Sequence, residues 1–156
     1  MAPYDVALMK APPFDPQNFS FLIHDIARLQ RREFDRKFAD GDISVTPGEA
    51  RALVHAARAG EVRQVVLAEA LGLEAMTLSA YLDRLEKQGL IERIPDPTDR
   101  RAKLVRLTDE AYDVLRTIAE KGAEVREMAR DKINDRDWEK LMKLLRQIRS
   151  NLHPDE

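Results

Sequence analysis

There is no cysteine anywhere in the 156 residues. That excludes a disulfide scaffold, a thiol nucleophile, a thiol redox switch and any Cys-ligated zinc. Histidine is nearly as scarce: His24, His55 and His153 stand far apart, without the His-x-x-x-His spacing of a metal site. The chain also lacks a Gly-rich phosphate loop, a nucleophile elbow and a paired-carboxylate motif, so no enzyme is expected and no cofactor or metal is implied. No run approaches the ~18 consecutive apolar residues of a membrane span. The first 16 residues lack a charged segment followed by an apolar stretch, so no secretory signal is read there. A soluble, cytoplasmic protein with no membrane partner is the expectation. Charge of one sign is missing too. The chain has 26 Lys+Arg against 28 Asp+Glu, formally −2, which argues against a uniformly basic nucleic-acid binder.

What is present is a core and a local charge imbalance. A hydrophobic share of 44% supports one compact domain, or one with appended helices, at roughly 100–200 residues per domain. Residues 51–107 carry 10 basic and 8 acidic side chains, whereas both flanking thirds are net acidic. Within that middle third, residues 93–106 hold five basic against two acidic residues. This excess is the electrostatic lead, although a solvated surface is the plain alternative in a chain that is 35% charged.

Residues 1–16 contain Pro3, Pro12, Pro13 and Pro16 with little periodicity and read as a flexible arm. From Gln17, Phe19, Leu22, Ile23, Ile26, Leu29, Phe34 and Phe38 recur at helical steps, and Asp40-Gly41-Asp42 stops the helix. Thr46-Pro47-Gly48-Glu49 is a capping box with Pro at the first helical position, opening a second helix that ends before Gly60. A third spans about Gln64 to Leu71, with Gly72 suited to the left-handed C-terminal position, and a fourth about Ala75 to Gln88. Leu90 to Pro95 and Lys103 to Leu107 then read as two strands of a hairpin around a turn-rich polar segment. Thr108 is expected to cap a long helix, with Asp109 and Glu110 in its first turn and Ala111, Leu115, Ile118, Val125 and Met128 inward. Asn134 recaps a last helix bearing Trp138, Leu141, Leu144, Leu145, Ile148 and Leu152.

Helix, tight turn, helix and hairpin make a winged helix-turn-helix, so the fold class is mainly α with a small β-hairpin wing. Leu67, Ala68, Leu71, Leu73, Leu78, Leu82 and Leu85 hold the two helices together. Gln64, Met76, Thr77, Ser79, Ala80 and Tyr81 are left for double-stranded DNA, with short hydroxyls and a methyl group suited to base edges, and Arg84 suits a phosphate. At the hairpin tip, Arg100 and Arg101 suit a minor groove. Asp99 beside them is placed to orient one guanidinium, or merely to hold the turn by an ion pair with Arg101. Lys103 and Arg106 are expected to track the backbone from one strand face. The apolar stripes at both chain ends exceed what a winged module needs, which favours burial in a homodimer over an intramolecular bundle.

The strings Leu67-Ala68-Glu69-Ala70-Leu71-Gly72-Leu73, Thr77 with Leu82-Asp83-Arg84-Leu85-Glu86-Lys87-Gln88-Gly89-Leu90-Ile91, and Asp96-Pro97-Thr98-Asp99-Arg100-Arg101-Ala102 running into Leu107-Thr108 resemble the MarR family of bacterial transcriptional regulators. The chain departs from the family pattern at Thr98, where the wing usually has Arg, at Ala80, where many members carry Arg, and at Arg63, where Ser or Thr often caps. The resemblance implies an obligate homodimer with N- and C-terminal dimerisation helices, binding a pseudo-palindromic operator as a repressor. On that reading residues 1–16 are the arm, 17–42 a dimerisation helix, 43–108 the winged module and 109–156 the long helix plus the C-terminal dimerisation helix. It also implies release by a small anionic aromatic effector, a phenolic or aromatic acid or its CoA thioester. Arg28 would then meet the ligand carboxylate, with His24 and His55 nearby, unless the arginines of this helix only form ion pairs or a solvated face. The competing readings are a winged-helix adaptor that binds protein rather than specific DNA, and a small helical enzyme.

Overall fold

The computed structural model describes residue 15 and residues 17–39, 43–99 and 101–153. The expected arm over 1–16 (residue 15 apart), the Asp40-Gly41-Asp42 stop and Arg100 lie outside the described residues. Among the described residues, six helices and three strands follow in the order α1 (Phe19–Ala39), α2 (Pro47–Ala59), β1 (Val62–Arg63), α3 (Gln64–Leu71), α4 (Ala75–Lys87), β2 (Ile91–Pro95), β3 (Lys103–Leu107), α5 (Ala111–Ala129) and α6 (Asp135–Leu152).

The capping box opens α2 as its residue types dictate. Thr46 Oγ1 accepts the Glu49 N–H at 3.3 Å, and Glu49 Oε2 accepts the Thr46 N–H at 2.8 Å. Gly72 adopts the left-handed conformation at φ 62°, which lets α3 end in one residue and α4 begin after a bend of 112°. The sheet is antiparallel with β3 in the centre. Val105 faces Arg93 on one side and Val62 on the other. Strand β1 was not expected. A two-residue strand offers no periodicity to read, and only its pairing with β3 defines it.

Leu53, Leu67, Leu78, Leu82, Leu85 and Val105 are fully buried where α2, α3, α4 and the sheet converge. At about 1.5–3 kcal/mol per buried side chain of this size, they fix the angle between α3 and α4. Leu71 and Leu73 flank this core half-buried. Phe34 and Phe38, their rings 4.8 Å apart, bring the C-terminal half of α1 into the same core.

Two expectations need correction. Thr108 does not cap α5: its hydroxyl donates to the Gly89 carbonyl at 2.6 Å, and residues 109 and 110 form a turn ahead of a helix that starts at Ala111. The hydroxyl has a nearer acceptor in the loop that leads into β2. Met128 is not inward but 46% exposed, because the end of α5 runs past the core.

The N-terminal half of α1 leaves Phe19, Leu22 and Ile26 exposed, and α6 buries none of its residues. Among the described residues no single helix is long and apolar enough to cross a membrane.

Candidate nucleic-acid interface and the adjoining cavity

The two-helix core presents the N-terminal half of α4 to solvent. Met76 is 86% exposed, Thr77 and Ala80 are exposed, and Ser79 and Tyr81 are half-buried. Gln64, half-buried, opens α3. Tyr81 leans on the start of α2. A Cβ at Gly48 would stand 2.7 Å from the Tyr81 ring, so the absence of a side chain there is what lets the ring settle.

Arg84 is not simply free for a phosphate. Its Nε donates to Glu49 Oε1, and its guanidinium lies 5.4 Å from the centre of the Tyr81 ring, with half of the side chain still exposed. Glu49 is therefore shared between the cap of α2 and the outer face of α4. Burial alone would raise its pKa. The hydrogen bonds from Arg84 and Thr46 outweigh that and hold it below the usual carboxylate range.

The wing is built on another carboxylate. Asp96, 5% exposed, accepts the Thr98 N–H (2.7 Å), the Thr98 hydroxyl (2.7 Å) and the Asp99 N–H (3.3 Å) on Oδ1, and the Arg63 Nε (2.6 Å) on Oδ2. The bonds from Thr98 and then from Arg63 hold its pKa far below the ordinary range. Among the described residues, Asp99 accepts the Arg101 backbone N–H at 3.0 Å and not its guanidinium, and the carboxylate that orients a guanidinium is Asp96, the guanidinium being that of Arg63.

Not every cation of residues 93–106 is available. Arg93 donates to Asp83 (2.5 Å) and to the Ser79 carbonyl (3.4 Å), while its backbone N–H reaches Glu86, which clamps β2 to α4. Arg106 bonds Glu92 (2.7 Å) and Glu61 (3.2 Å). Lys103 and Arg106 are three residues apart in β3, and strand alternation sends them to opposite faces, contrary to the expected shared face. Arg101 and Lys103 are exposed and make no ion pair among the described residues.

Behind this surface, α1, α2, α3 and α4 enclose a cavity of about 110 Å³ whose wall includes Arg31, Gly48, Arg51, His55, Leu71 and Tyr81. His55 of α2 is part of this wall. Burial, reinforced by Arg58, lowers its pKa, so the ring is neutral near pH 7. Arg51 bonds Asp35 of α1 at 2.7 Å. Arg28 and His24 are exposed on α1 and do not line the cavity; Arg28 pairs with Asp25 at 3.0 Å. The cavity's cations are Arg31 and Arg51 instead. The spacing of four between Arg51 and His55 puts both on one face of α2, a local pattern that points to their shared wall. Among the described residues, no group of three or more His, Asp or Glu could hold a metal ion.

Comparison with known proteins places this arrangement. Residues 45–103 match the family model described as MarR family. The transcriptional regulator PA3341 is 32% identical over 88% of this chain and 99% of its own, with a TM-score of 0.71. Apo wild-type MarR from E. coli shares the fold (TM-score 0.73, 24% identity, 86% of this chain and 98% of that one). A cysteine-to-serine mutant of MarR from E. coli, complexed with operator DNA, is 25% identical over 83% of this chain and 91% of its own, with a TM-score of 0.64.

Proposed function

The chain belongs to the MarR family of transcriptional regulators, and from that premise we propose that it is a homodimeric repressor released from a pseudo-palindromic operator by a small anionic aromatic effector. The observation that carries the DNA half is the exposed N-terminal face of α4, the second helix of a 112° helix-turn-helix, with a wing bearing Arg101 and Lys103 clamped beside it. Thr77, Ser79 and Ala80 would read base edges, Gln64, Met76 and Tyr81 would flank them, and Arg84 would reach a phosphate with the part of its guanidinium that Glu49 leaves free. Asp99 would hold the tip while Arg100 and Arg101 enter the minor groove.

The uncovered apolar faces of α1 and α6 support the dimer. Phe19, Ile26, Leu144 and Leu152 are each half exposed or more in the protomer, and a second copy is the nearest surface of matching character. Residues 17–42 and 109–156 then serve dimerisation, and 43–108 serve DNA.

For the effector, the cavity supplies the means. Arg31, and the part of the Arg51 guanidinium that Asp35 leaves free, would pair with a carboxylate, His55 and Tyr81 would offer directed hydrogen bonds, and Leu71 would offer apolar contact. Arg28 and His24, on the exposed side of α1, would meet only a longer ligand such as a CoA thioester. Because Tyr81 belongs to α4, an occupant touches the DNA-reading helix itself. Two such helices must sit ~34 Å apart to enter successive major grooves, and a coupling of ~1–3 kcal/mol between the sites suffices to empty the operator.

Selection of binding sites from random-sequence duplexes, followed by titration at several salt concentrations, tests the reading. A palindromic consensus with a log–log salt slope of about −0.9 per neutralised phosphate is expected. No enrichment and a flat slope would leave the adaptor reading in its place.

A further inference from the structure

We propose that Arg63 is the positioning residue that sets the wing against the helix-turn-helix, acting through the buried Asp96 carboxylate. The assignment rests on the wing's role at DNA set out above. Arg63 occupies the position just before α3 and makes no capping bond to that helix. Its side chain instead crosses to a segment 33 residues away, where Nε meets Asp96 Oδ2 at 2.6 Å and Nη2 meets Thr98 Oγ1 at 3.0 Å. Thr98 Oγ1 in turn donates to Asp96 Oδ1, which closes a three-residue ring of hydrogen bonds.

The geometry gives this ring control of the wing tip. The β2–β3 ladder ends at the Pro95–Lys103 pair, and beyond it the tip is closed by Asp96 N–H to Ala102 O at 3.1 Å and Ala102 N–H to Asp99 O at 2.9 Å. The Thr98 and Asp99 amides point at the Asp96 carboxylate, so wherever that carboxylate is held, the turn carrying Arg101 is held too. A carboxylate this buried needs a partner to stay ionised, and Arg63 is the cation that supplies one. The planar guanidinium forks between two acceptors, which an ammonium cannot reproduce. Arg63 is also anchored, since its backbone pairs with Leu104 in the central strand. The wing is thus fixed from two sides: by Arg93 to α4 and by Arg63 to the start of α3.

A salt bridge that only stabilised the fold would not distinguish the wing from the rest of the molecule. The wild-type protein is therefore compared with Arg63→Ala, Arg63→Lys and Thr98→Val by amide hydrogen exchange. Affinity is measured for a duplex enriched by the wild type from random sequence. In Arg63→Ala the Thr98 and Asp99 amides should lose protection about tenfold or more beyond any loss that the amides of α4 share. Affinity should fall about tenfold, with a salt slope shallower by about 0.9 for each phosphate no longer neutralised. Arg101→Ala should weaken binding in the wild type and add almost nothing in Arg63→Ala. Arg63→Lys should recover only part of the loss, and Thr98→Val, which leaves α3 untouched, should reproduce part of it if Arg63→Ala folds poorly.

Native protection of the wing amides in Arg63→Ala, or an Arg101→Ala effect of equal size in both backgrounds, overturns the assignment. A different failure is separable. If the wing amides lose protection while Arg101→Ala and Lys103→Ala are silent in the wild type, then the wing does not touch DNA, and the proposal falls together with that reading.

Discussion

Replacing Glu49 should cost far more than its place in the first turn of a helix suggests. The carboxylate makes two separate contributions. Its Oε2 closes the capping box with the Thr46 N–H, and its Oε1 accepts from Arg84 on α4. Loss of the cap bond costs about 0.5–1.5 kcal/mol, and loss of an anion at the N-terminus of α2 adds roughly 0.3–1 kcal/mol. A charge-assisted bond to Arg84 would be worth about 1.5–3 kcal/mol if fully buried. Half of the arginine is exposed, so solvent screening reduces it to about 1 kcal/mol. Glu49→Ala should therefore destabilise by about 2–3 kcal/mol, a fall in Tm of about 5–10 °C at this chain length. Glu49→Gln keeps the shape and one acceptor and should cost about half as much. Because the folded-state pKa is depressed, the charge-dependent part is fully present well above the unfolded value of 4.5 and disappears as pH falls through the folded value. Urea unfolding of wild type and Glu49→Gln, at one protomer concentration, should give a gap that is constant near pH 7 and closes below about pH 4.5. Asp96 titrates in both proteins and cancels in the difference. A gap under about 0.5 kcal/mol at pH 7, or one that acid leaves unchanged, would refute the double role.

Gly48→Ala should destabilise by about 1–3 kcal/mol in thermal melts because its Cβ drives into the Tyr81 ring, whereas Gly48→Ala combined with Tyr81→Ala should recover much of that; a neutral single variant would mean that the ring moves freely. Leu144→Asp on the exposed face of α6 should turn dimers into smaller species in sedimentation equilibrium, and an unchanged mass would put the dimer surface elsewhere. Arg51→Ala should weaken a benzoate-type effector by about tenfold, more than Arg28→Ala does, as read by calorimetry without DNA; the reverse order would move the ligand to the outer face of α1.

Local chemistry was legible and long-range pairing was not. The Thr46–Glu49 capping box, Gly72 as a left-handed stop, Asn134 as a cap and the α3 boundaries all follow from residues within a few positions of one another, and the structure has each of them. The buried leucines of α3 and α4 were equally readable, since a period of 3.6 marks one face. What failed to show were partners far apart in sequence. Glu49 and Arg84 are 35 positions apart, Arg63 and Asp96 are 33, and nothing in either local string says that the other exists. Arg84 reads as a free cation until its glutamate is seen, and Arg63 reads as a poor helix cap until Asp96 is seen.

The same reasoning explains why the charge excess over residues 93–106 overstated the basic surface. Counting gives five cations there, yet Arg93 is spent on α4 and Arg106 on Glu92 and Glu61, which leaves Arg101 and Lys103 as the cations of that stretch without an ion pair among the described residues. Composition measures charge, whereas a nucleic-acid surface depends on charge without an internal partner, and only the fold assigns partners. The two arginines that tie the wing down are bonded to internal carboxylates, and they determine where the remaining cations stand. A variant that removes Arg93 or Arg63 should therefore weaken DNA binding by releasing the wing. That makes the double substitution with Arg101, rather than any single one, the measurement that separates a cation that touches DNA from one that aims it.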